Sequence, residues 1–586
     1  MKMIFRYLRV YWGSITLVMG LKLTAAFAEL MLPYILEHMI DVVVPEGNIN
    51  SIFLWGLLMV LSAVVTWQLN MNSNRQAVNN AHNVSYDVRR DLFNKTIYLS
   101  GRQFDGFTLP SLTSRMTSDS YNVQNFVRAF QTLCVRAPIM LLGGIVVTMT
   151  MDPVLSGILC AMVPVLLTVV VTISRKGIPL YEKVQQRLDD VVRAMRENIS
   201  GIRVIKALSK TEYEKRRFHG YNKDMAETDI HTGTFMAIPG PFMQLSLNIG
   251  LTLVVFVGAL RVDSGAMKPG VILAFLTYFN IILQSIMAIN RMFMMISKAS
   301  ASGDRIDAVL RTEPDLQPVA DTETREDLPY IHFSHVNFRY QSAESDGNFN
   351  GQEQEQVLSD ISFAIGKGES LGIIGPTGCG KTTIINLLMR FYDPDSGEIF
   401  INGHDVRSYS REELHRKFGV VFQNDMVFND TLRNNIDFGR GLTDEQLRSA
   451  IEDAVAAEFI DAIPEGLDYE AAIKGANLSG GQKQRLLISR ALAAKPEILI
   501  LDDSSSALDY KTDAQLRSAI FGNYQDATVV MVAQRVSSIM GMTNILVMDN
   551  GRCIGYGPHE HLMKTCDTYR NIYQTQMGSM DGKEGL

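Results

Sequence analysis

The chain has 586 residues, too many for one ordinary hydrophobic core, so two or more domains are expected. Its formal net charge of -7 shows no basic excess that would favour nucleic acid as a partner. The five cysteines form no CxxC pair and no cluster with histidine, which argues against both a disulfide framework and a zinc site.

The first half of the chain, up to about Ser300, is predicted to cross a membrane. It contains six apolar segments of about twenty residues, the length that a helix needs to span a hydrocarbon core. The first follows a short basic and aromatic stretch without a small-residue cleavage site, so it is not a cleavable signal sequence. The predicted spans are Thr16–Ile40, Ile52–Met71, Ala129–Met149, Val154–Ile173, Phe235–Leu260 and Val271–Met292.

The distribution of lysine and arginine predicts the orientation of these spans. The connections after the second and fourth spans are long and basic, whereas those after the first, third and fifth are short and carry little positive charge. Because positive loops stay on the cytoplasmic side, we expect both termini and the two long connections to be cytoplasmic, in the plasma or inner membrane of the cell. The long connections also carry apolar residues at helical spacing, which predicts that the spans continue as helices into the cytoplasm.

After Arg305 the composition changes to that of a soluble protein. Residues 306–327 are predicted to form a linker, since Thr312–Asp327 is acidic, contains proline and has few apolar residues. The remainder, 328–586, alternates short β-rich runs with helical patterns, which predicts an α/β domain after the membrane domain of residues 1–305. Within it Asn550-Gly551 predicts a hairpin, and the polar stretch Gln341–Gln356 predicts a disordered surface loop.

A phosphate-binding loop follows the apolar run "SLGIIG" and precedes a helical pattern. Gly378 and Gly380 allow backbone N–H groups to surround a phosphate, Lys381 reaches the β and γ phosphates, and Thr382 can ligate Mg²⁺. This context favours an ATP and Mg²⁺ site over an ordinary glycine-rich turn, and Cys379 is interpreted as a small filler. The expected nucleotide contacts are Gly375, Pro376, Thr377, Gly378, Cys379, Gly380, Lys381, Thr382 and Thr383.

The run "ILILDD" is the natural companion of this loop. Four large aliphatic residues indicate a strand buried on both faces, and carboxylates at its carboxyl end emerge where α/β sheets bind ligands. We expect Asp502 to hold Mg²⁺ through water and Asp503 to face the γ-phosphate, where a base or a water-orienting residue belongs. Taken alone this motif is weak, because many buried strands that end in a turn would satisfy it.

A third motif, "LSGGQKQR", lies about a hundred residues after the loop, and its Ser479, Gly480 and Gly481 begin a helix that can offer N–H groups to an anion. With the six spans, these motifs resemble the ATP-binding-cassette family, and the chain resembles an exporter-type half-transporter over essentially its whole length. The resemblance implies a multidomain membrane protein, with an all-α six-helix transmembrane domain followed by an α/β P-loop nucleotide-binding domain. It also implies that Ser479, Gly480, Gly481 and Gln482 contact ATP on the opposite subunit of a dimer.

The resemblance assigns further roles, each at a matching position. Tyr340 is expected to stack on adenine, although a core strand tyrosine is the alternative, and Gln423 is expected to sense Mg²⁺ and to take part in catalysis. Ser506–Asp509 matches the dimer-contact loop. Short segments near Asp105–Leu109 and Asn198–Ile202 are expected to dock onto the nucleotide-binding domains.

Two positions depart from the family pattern, which has a glutamate after the Mg²⁺ aspartate and a histidine near the end of the next strand. Here they are Asp503 and Gln534. The shorter carboxylate is withdrawn by about one carbon–carbon bond, and near-attack geometry tolerates little more than about 1 Å of misplacement. Glutamine also lacks the cationic form and the proton transfer of imidazole. The chain therefore resembles the degenerate-site subunit of a bacterial heterodimeric multidrug-type exporter, whose partner chain has Glu and His at these positions.

Alternatives to this interpretation are a homodimer in which Asp503 is adequate, and a mainly regulatory ATP-binding subunit. The six spans exclude a soluble cassette ATPase of DNA repair, and importers commonly place the two domains on separate chains. The expected partners are a second half-transporter, the lipid bilayer and an amphipathic drug, lipid or peptide as cargo. Polar residues inside the predicted spans are functional candidates but do not distinguish these cargoes, and they include Lys22, Glu29, Arg136 and Gln284.

Overall fold

The structure is a computed structural model that describes residues 1–319, 325–340 and 356–581. It divides into two compact units, Met1–Ile97 with Pro110–Thr312, and Tyr98–Leu109 with Glu313–Leu586. Most of the predicted surface loop Gln341–Gln356 lies outside the described residues.

The first unit is all helical. Within the described residues six helical stretches are long and apolar enough to cross a membrane, as predicted, and each continues beyond its predicted span. Two of them contain a short π-helical turn, at Met39–Val43 and Arg115–Asp119. The helices as far as Arg311 are α1 Lys2–Val10, α2 Trp12–His38, α3 Ile49–Ile97, α4 Gly101–Phe107, α5 Leu109–Ser114, α6 Ser120–Met151, α7 Pro153–Ser200, α8 Ile202–Ala207, α9 Thr211–Ala237, α10 Pro239–Asp263 and α11 Pro269–Arg311. Of these, α4 belongs to the second unit.

Capping residues at the short turns explain how these helices reverse. Asp152, the N-cap of α7, accepts hydrogen bonds from the N–H groups of Val154 and Leu155, and Pro153 occupies the first helical position. The same carboxylate pairs with Arg261 on α10 at 2.9 Å. One buried aspartate therefore ends one membrane helix, starts the next and ties both to a third.

Two intramembrane cations in this unit, Arg136 and Lys22, are paired with polar groups of the same unit. Arg136 on α6 forms a two-fold hydrogen bond with Glu29 on α2, at 2.6 and 3.2 Å. Lys22 is almost fully buried and donates to Asn70 Oδ1 at 2.7 Å. Such pairing reduces the cost of placing charge in a low-dielectric interior.

The second unit contains two sheets. A six-stranded sheet has the order β10-β9-β3-β8-β7-β6, with all neighbours parallel except β9 and β10, and a four-stranded antiparallel sheet has the order β2-β1-β4-β5. The strands are β1 Ile331–Phe338, β2 Leu358–Ile365, β3 Ser370–Ile374, β4 Ser396–Ile401, β5 His404–Asp405, β6 Phe418–Val421, β7 Ile498–Asp502, β8 Thr528–Val532, β9 Asn544–Asp549 and β10 Arg552–Gly557.

Ten helices of the described chain accompany these sheets, and β3, β7 and β8 are buried at every residue, as continuous apolar runs in parallel sheets predict. The predicted hairpin joins β9 and β10, with positive φ at Asn550 and Gly551. The helices are α12 Lys381–Leu388, α13 Arg411–Arg416, α14 Leu432–Asp437, α15 Asp444–Asp453, α16 Ala457–Asp461, α17 Gly480–Leu492, α18 Tyr510–Asn523, α19 Val536–Ile539, α20 His559–Thr565 and α21 Asp567–Asp581.

Helix α4 packs within the second unit, although it lies in the chain between membrane helices. The Gly101 N–H donates to the Phe391 carbonyl at 3.2 Å, and the Tyr392 hydroxyl donates to Asp105 at 2.6 Å. A Cβ on Gly101 would lie 2.8 Å from the Tyr392 ring, so this close approach requires glycine. Of the two segments expected to dock, the one near Asp105–Leu109 thus contacts this unit, and the one near Asn198–Ile202 lies in the first unit, between α7 and α8.

The expected linker 306–327 is not a separate segment where the structure describes it. Helix α11 continues to Arg311, past the boundary expected at residue 305. Beyond Thr312 the chain belongs to the second unit, where the Val319 N–H donates to the Arg407 carbonyl at 2.8 Å. Backbone hydrogen bonds of this kind hold an acidic, proline-containing segment against a domain despite its weak apolar content.

Candidate functional site

The carboxyl ends of three neighbouring strands form the floor of an open depression in the second unit. Strand β8 pairs in parallel with β3 on one side and with β7 on the other, so the loops that follow these strands meet at one edge. The depression has a volume of about 270 Å³. Its lining includes the expected site residues Tyr340, Thr377, Gly378, Gly380, Lys381, Thr382, Thr383, Gln423, Asp502, Asp503 and Gln534.

The phosphate-binding loop has the backbone that its glycines predict. Gly378 and Gly380 have φ of 86° and 97°, in the region that favours glycine. A Cβ on Gly380 would lie 2.5 Å from Leu358 Cδ2, and one on Gly375 would lie 2.2 Å from the Met548 carbonyl. The loop therefore needs glycine both for its conformation and for its close packing.

Lys381 is held across the mouth of this loop. Its Nζ donates to the carbonyls of Gly375 at 2.9 Å and Pro376 at 2.8 Å. Cys379 lies beneath it and is buried, and burial raises the pKa of its thiol, which supports its interpretation as a filler. A phosphate in the loop would replace these carbonyl contacts by hydrogen bonds in which both the ammonium donor and the phosphate acceptor are ionised.

The residues expected to hold Mg²⁺ meet at the end of β7. The Thr382 hydroxyl donates to Asp502 Oδ2 at 2.9 Å, and Gln423 lines the same depression. Burial raises the pKa of Asp502, and the neighbouring Asp503 carboxylate raises it further. A hydroxyl, an amide and a carboxylate are the hard oxygen donors that Mg²⁺ prefers, and phosphate oxygens and water would complete its shell, so these residues fit the ion.

The two unusual residues, Asp503 and Gln534, contact each other. Gln534 Nε2 donates to Asp503 Oδ2 at 2.7 Å. Burial raises the pKa of Asp503, while the Gln534 amide acts in the opposite direction. Asp503 also has a φ of 52°, and its N–H donates to the Val532 carbonyl at 3.0 Å. The carboxylate is thus held by its own backbone and by the glutamine.

Tyr340 lies on the far side of the depression, just beyond the end of β1. Its hydroxyl is 3.2 Å from Thr383 Oγ1, and its ring packs edge-on against Tyr392 with centroids 5.2 Å apart. A tyrosine beside the loop and half-exposed can stack on a base, whereas a tyrosine within the strand would be covered. Tyr392 was not anticipated from the sequence, because its hydroxyl partner Asp105 is 287 residues away.

The "LSGGQ" motif forms the start of α17, as expected. Ser479 is its N-cap and makes a capping box with Gln482, whose Oε1 accepts from the Ser479 N–H at 2.8 Å. Ser479 and Gly480 are exposed. Among the described residues, those lining the depression include none of Ser479, Gly480, Gly481 and Gln482, so the structure does not bring the motif to this chain's own phosphate loop.

The segment that carries Gln534 is held by residues that the sequence interpretation missed. The Arg535 guanidinium lies over the Tyr510 ring, 4.7 Å from its centroid. Gln576 Nε2 donates to the Gln534 carbonyl at 2.8 Å. A helical pattern alone could not identify Gln576, which is 42 residues further along the chain.

Comparison with known proteins agrees with this architecture. The family model for the ABC transporter transmembrane region matches residues 15–287, and the ABC transporter model matches residues 358–506. The uncharacterized ABC transporter ATP-binding protein YfiB of Bacillus subtilis is 32% identical over 573 residues, which are 98% of each chain. The uncharacterized ABC transporter ATP-binding protein Rv1273c of Mycobacterium tuberculosis is 31% identical over 584 residues, covering 97% of each.

The fold is also that of a solved exporter. A bacterial Atm1-family ABC exporter, determined with ATP bound, superposes with a TM-score of 0.80 over 97% of this chain and 99% of its own, at 22% identity. Six membrane-length helices precede an α/β domain with a formed phosphate loop and signature helix in the part of the chain that the structure describes. The chain therefore belongs to the ABC transporter family and is an exporter half-transporter, a multi-pass membrane protein whose second domain binds ATP.

Proposed function

We propose that this chain is one subunit of a heterodimeric exporter, in which its own ATP site hydrolyses slowly and its signature helix completes a competent site on a partner. The slow site is built on Lys381, Asp502, Asp503 and Gln534, and Mg²⁺ held by Thr382, Asp502 and Gln423 would neutralise phosphate charge there. The competent site uses the partner's phosphate loop, glutamate and histidine together with Ser479 and Gly481 of this chain.

The observation that carries this proposal is the contact between Asp503 and Gln534. A hydrolytic base needs a free carboxylate oxygen within hydrogen-bond reach of the attacking water. Here one of the two oxygens of Asp503, Oδ2, accepts from the Gln534 amide at 2.7 Å, which turns the carboxylate towards residue 534. The carboxylate is also one methylene shorter than the family's glutamate, and the amide at position 534 cannot take up a proton as imidazole does. Both changes act on the same carboxylate, so they reinforce each other.

The intact signature helix supports a role in a second site. Its capping box satisfies the N–H groups of Ser479 and Gln482, whereas those of Gly480 and Gly481 have no partner inside the helix, and Ser479 and Gly480 face solvent. An anion from another chain can approach such a helix end without rearrangement of the loop. A chain that had lost all catalytic function would have no need for this geometry.

The cargo we propose is an amphipathic drug, lipid or peptide that is moved out of the cell by alternating access. The charges inside the membrane helices favour recognition by apolar contact over recognition of a charged group, because Arg136 is already paired with Glu29 and Lys22 with Asn70. The two long basic connections support an orientation in which they and both termini are cytoplasmic, in a plasma or inner membrane.

Turnover measurements test the proposal. The chain is co-expressed with the half-transporter encoded next to it, and the complex is purified. Phosphate release is then measured for Asp503→Asn and, separately, for replacement of the partner's catalytic glutamate by glutamine. We expect the Asp503 variant to retain most of the activity and the partner variant to lose it. Loss of most activity from Asp503→Asn alone would contradict the unequal-site proposal.

Two other outcomes identify the alternatives. If the chain purifies alone as a dimer that hydrolyses ATP at rates that depend on Asp503, the exporter is homodimeric. If the purified chain binds ATP without turnover and the partner's activity does not require Ser479, the chain is a regulatory subunit. A screen of substrate-stimulated ATPase activity on the same complex then identifies the cargo class.

A further inference from the structure

One side chain of the C-terminal helix holds the segment that carries Gln534. Gln576, on α21, donates from Nε2 to the Gln534 carbonyl and accepts at Oε1 from the Val536 N–H, both at 2.8 Å. The orientation of its amide is determined, because a carbonyl can only accept and an N–H can only donate. A single carboxamide thus fixes the peptide groups on both sides of Arg535, and we call this arrangement the amide clamp.

The local sequence explains why a distant residue is needed here. Helix α19 has only four residues, and its N-cap, Arg535, makes no side-chain capping bond. The first N–H groups of a helix have no partner inside the helix, and they need one when they are removed from water. The Val536 side chain is fully buried, and its N–H finds its acceptor in Gln576, which is 40 residues further along the chain.

The support that presents Gln576 is anchored independently of the clamp. Tyr569, which precedes Gln576 by about two turns of α21, is fully buried, and its hydroxyl is 2.8 Å from His559 Nδ1. Arg570 donates to the Met563 carbonyl at 2.8 Å. These two contacts do not involve Gln576, so the helix keeps them when the Gln576 amide is removed.

We propose that Gln576 is a positioning residue of the nucleotide site, which acts by keeping the Gln534 amide at the phosphate end of the depression. The contacts form one continuous series, from Gln576 to the backbone of residues 534–536 and from the Gln534 side chain to Asp503. The inference rests on the proposed function only in taking this depression as an ATP site. Its consequence is retention of ATP, because the clamp adds two hydrogen bonds to the segment that would face the γ-phosphate.

The expected size of the effect follows from the two bonds. Loss of one neutral hydrogen bond shifts an equilibrium by about fivefold, so loss of both increases the open population of the segment by up to about thirtyfold. ATP should be released faster by a similar factor. ADP lacks the γ-phosphate that faces Gln534 and is held by Lys381, Tyr340 and the phosphate loop, so its release should change by less than about twofold.

The experiment measures release of a fluorescent non-hydrolysable ATP analogue, and of fluorescent ADP, from the full-length exporter in lipid nanodiscs after addition of excess unlabelled nucleotide. If the exporter contains two different chains, the partner's phosphate-loop lysine is replaced so that only this site binds. Gln576→Leu should release the ATP analogue roughly five- to thirtyfold faster than the unmodified protein. Gln574→Leu is the matched control, because Gln574 is exposed on the same helix, and it should behave as the unmodified protein.

A double variant separates positioning from general support of the fold. In a Gln534→Ala background, Gln576→Leu should change ATP release by less than about twofold, since the side chain through which it acts is gone. An equal factor in both backgrounds, or equal acceleration of ADP release, would overturn the proposal. If Gln576→Leu does not fold, Gln576→Glu keeps an acceptor for the Val536 N–H and replaces the donor to the Gln534 carbonyl by a carboxylate oxygen that repels it, so it should accelerate ATP release by at least about fivefold. Unchanged release would equally overturn the proposal.

Because the analogue is not hydrolysed, these results do not depend on whether the site turns over slowly. If nucleotide release refutes the clamp proposal, the unequal-site proposal is unaffected and is still tested by the turnover measurements. Rapid hydrolysis at Asp503 would overturn the unequal-site proposal and leave the clamp to be judged by nucleotide release alone.

Discussion

Replacement of Asp503 by glutamate should restore hydrolysis at this chain's own site. The substitution adds one methylene and extends the carboxylate by about 1.5 Å, the length of a carbon–carbon bond. Since misplacement by about 1 Å costs on the order of a hundredfold in rate, a correctly extended carboxylate should raise turnover at this site roughly ten- to a hundredfold. The lower end applies to Asp503→Glu alone, because residue 534 is then still an amide, which cannot take up a proton as imidazole does. The upper end applies to Asp503→Glu combined with Gln534→His.

The same substitution has a predictable cost in stability. Position 503 has a φ of 52°, and aspartate tolerates this left-handed conformation better than a longer side chain, by about 1 kcal/mol. For a domain of this size, that cost lowers the melting temperature by about 2–4 °C. Faster turnover together with a lower melting temperature would therefore show that the gain comes from catalysis and not from a larger fraction of folded protein in the sample.

The assay is phosphate release by the purified complex in which the partner's catalytic glutamate is replaced by glutamine, so that only this chain's site reports. Lys381→Ala in this chain defines the background rate. Asp526→Glu is the matched control, because Asp526 is exposed and precedes β8 at the opposite edge of the sheet from the site. Unchanged turnover in the combined Asp503 and Gln534 variant, with ATP affinity retained, would refute the assignment of slow hydrolysis to these two residues.

Three further predictions concern the same unit. Gly380→Ala places a Cβ 2.5 Å from a leucine methyl carbon at a φ of 97°, so it should destabilise the nucleotide-binding domain by roughly 2 kcal/mol and abolish ATP binding. Thermal unfolding checks this against Gly522→Ala, a helical position with open space around it that should be stabilised by about 0.5–1 kcal/mol. Tyr392→Phe removes the 2.6 Å hydrogen bond to Asp105 and keeps the ring. Substrate-stimulated ATPase activity should then fall several-fold at an unchanged KM for ATP. An equal loss of unstimulated activity would argue against a role of this hydrogen bond in coupling cargo binding to ATP hydrolysis. Asp502→Asn should raise the melting temperature of the nucleotide-free protein at neutral pH, because burial raises the pKa of this carboxyl and its charged form opposes folding. The advantage of the variant should be absent below the ordinary carboxyl pKa, grow as pH rises from that value to the raised pKa, and stay constant above it. A pH-independent difference would contradict the stated cause.

Much of the fold could be predicted because its signals are local. A helix that crosses a bilayer must be about twenty residues long and apolar, so the six spans follow from composition alone. The phosphate loop is a contiguous motif whose glycines set its backbone, and the structure gives Gly378 and Gly380 the positive φ that this requires. The boundary of the first domain was less accessible, since α11 continues to Arg311, beyond the boundary expected at residue 305. The helix ends where the acidic, proline-containing stretch begins at Thr312.

The sequence by itself determined the two-domain plan, the phosphate loop, the signature helix and the two residues that depart from the family pattern. Only the tertiary structure decided which of these residues touch. Asp503 and Gln534 are 31 residues apart and meet because β7 and β8 pair in parallel, which places their carboxyl ends side by side. Gln576 belongs to no motif, and it reaches Gln534, 42 residues earlier in the chain, only because of the way in which its helix α21 packs. Local patterns specify what a segment can form, whereas contacts between distant segments depend on how the whole chain buries its apolar surface.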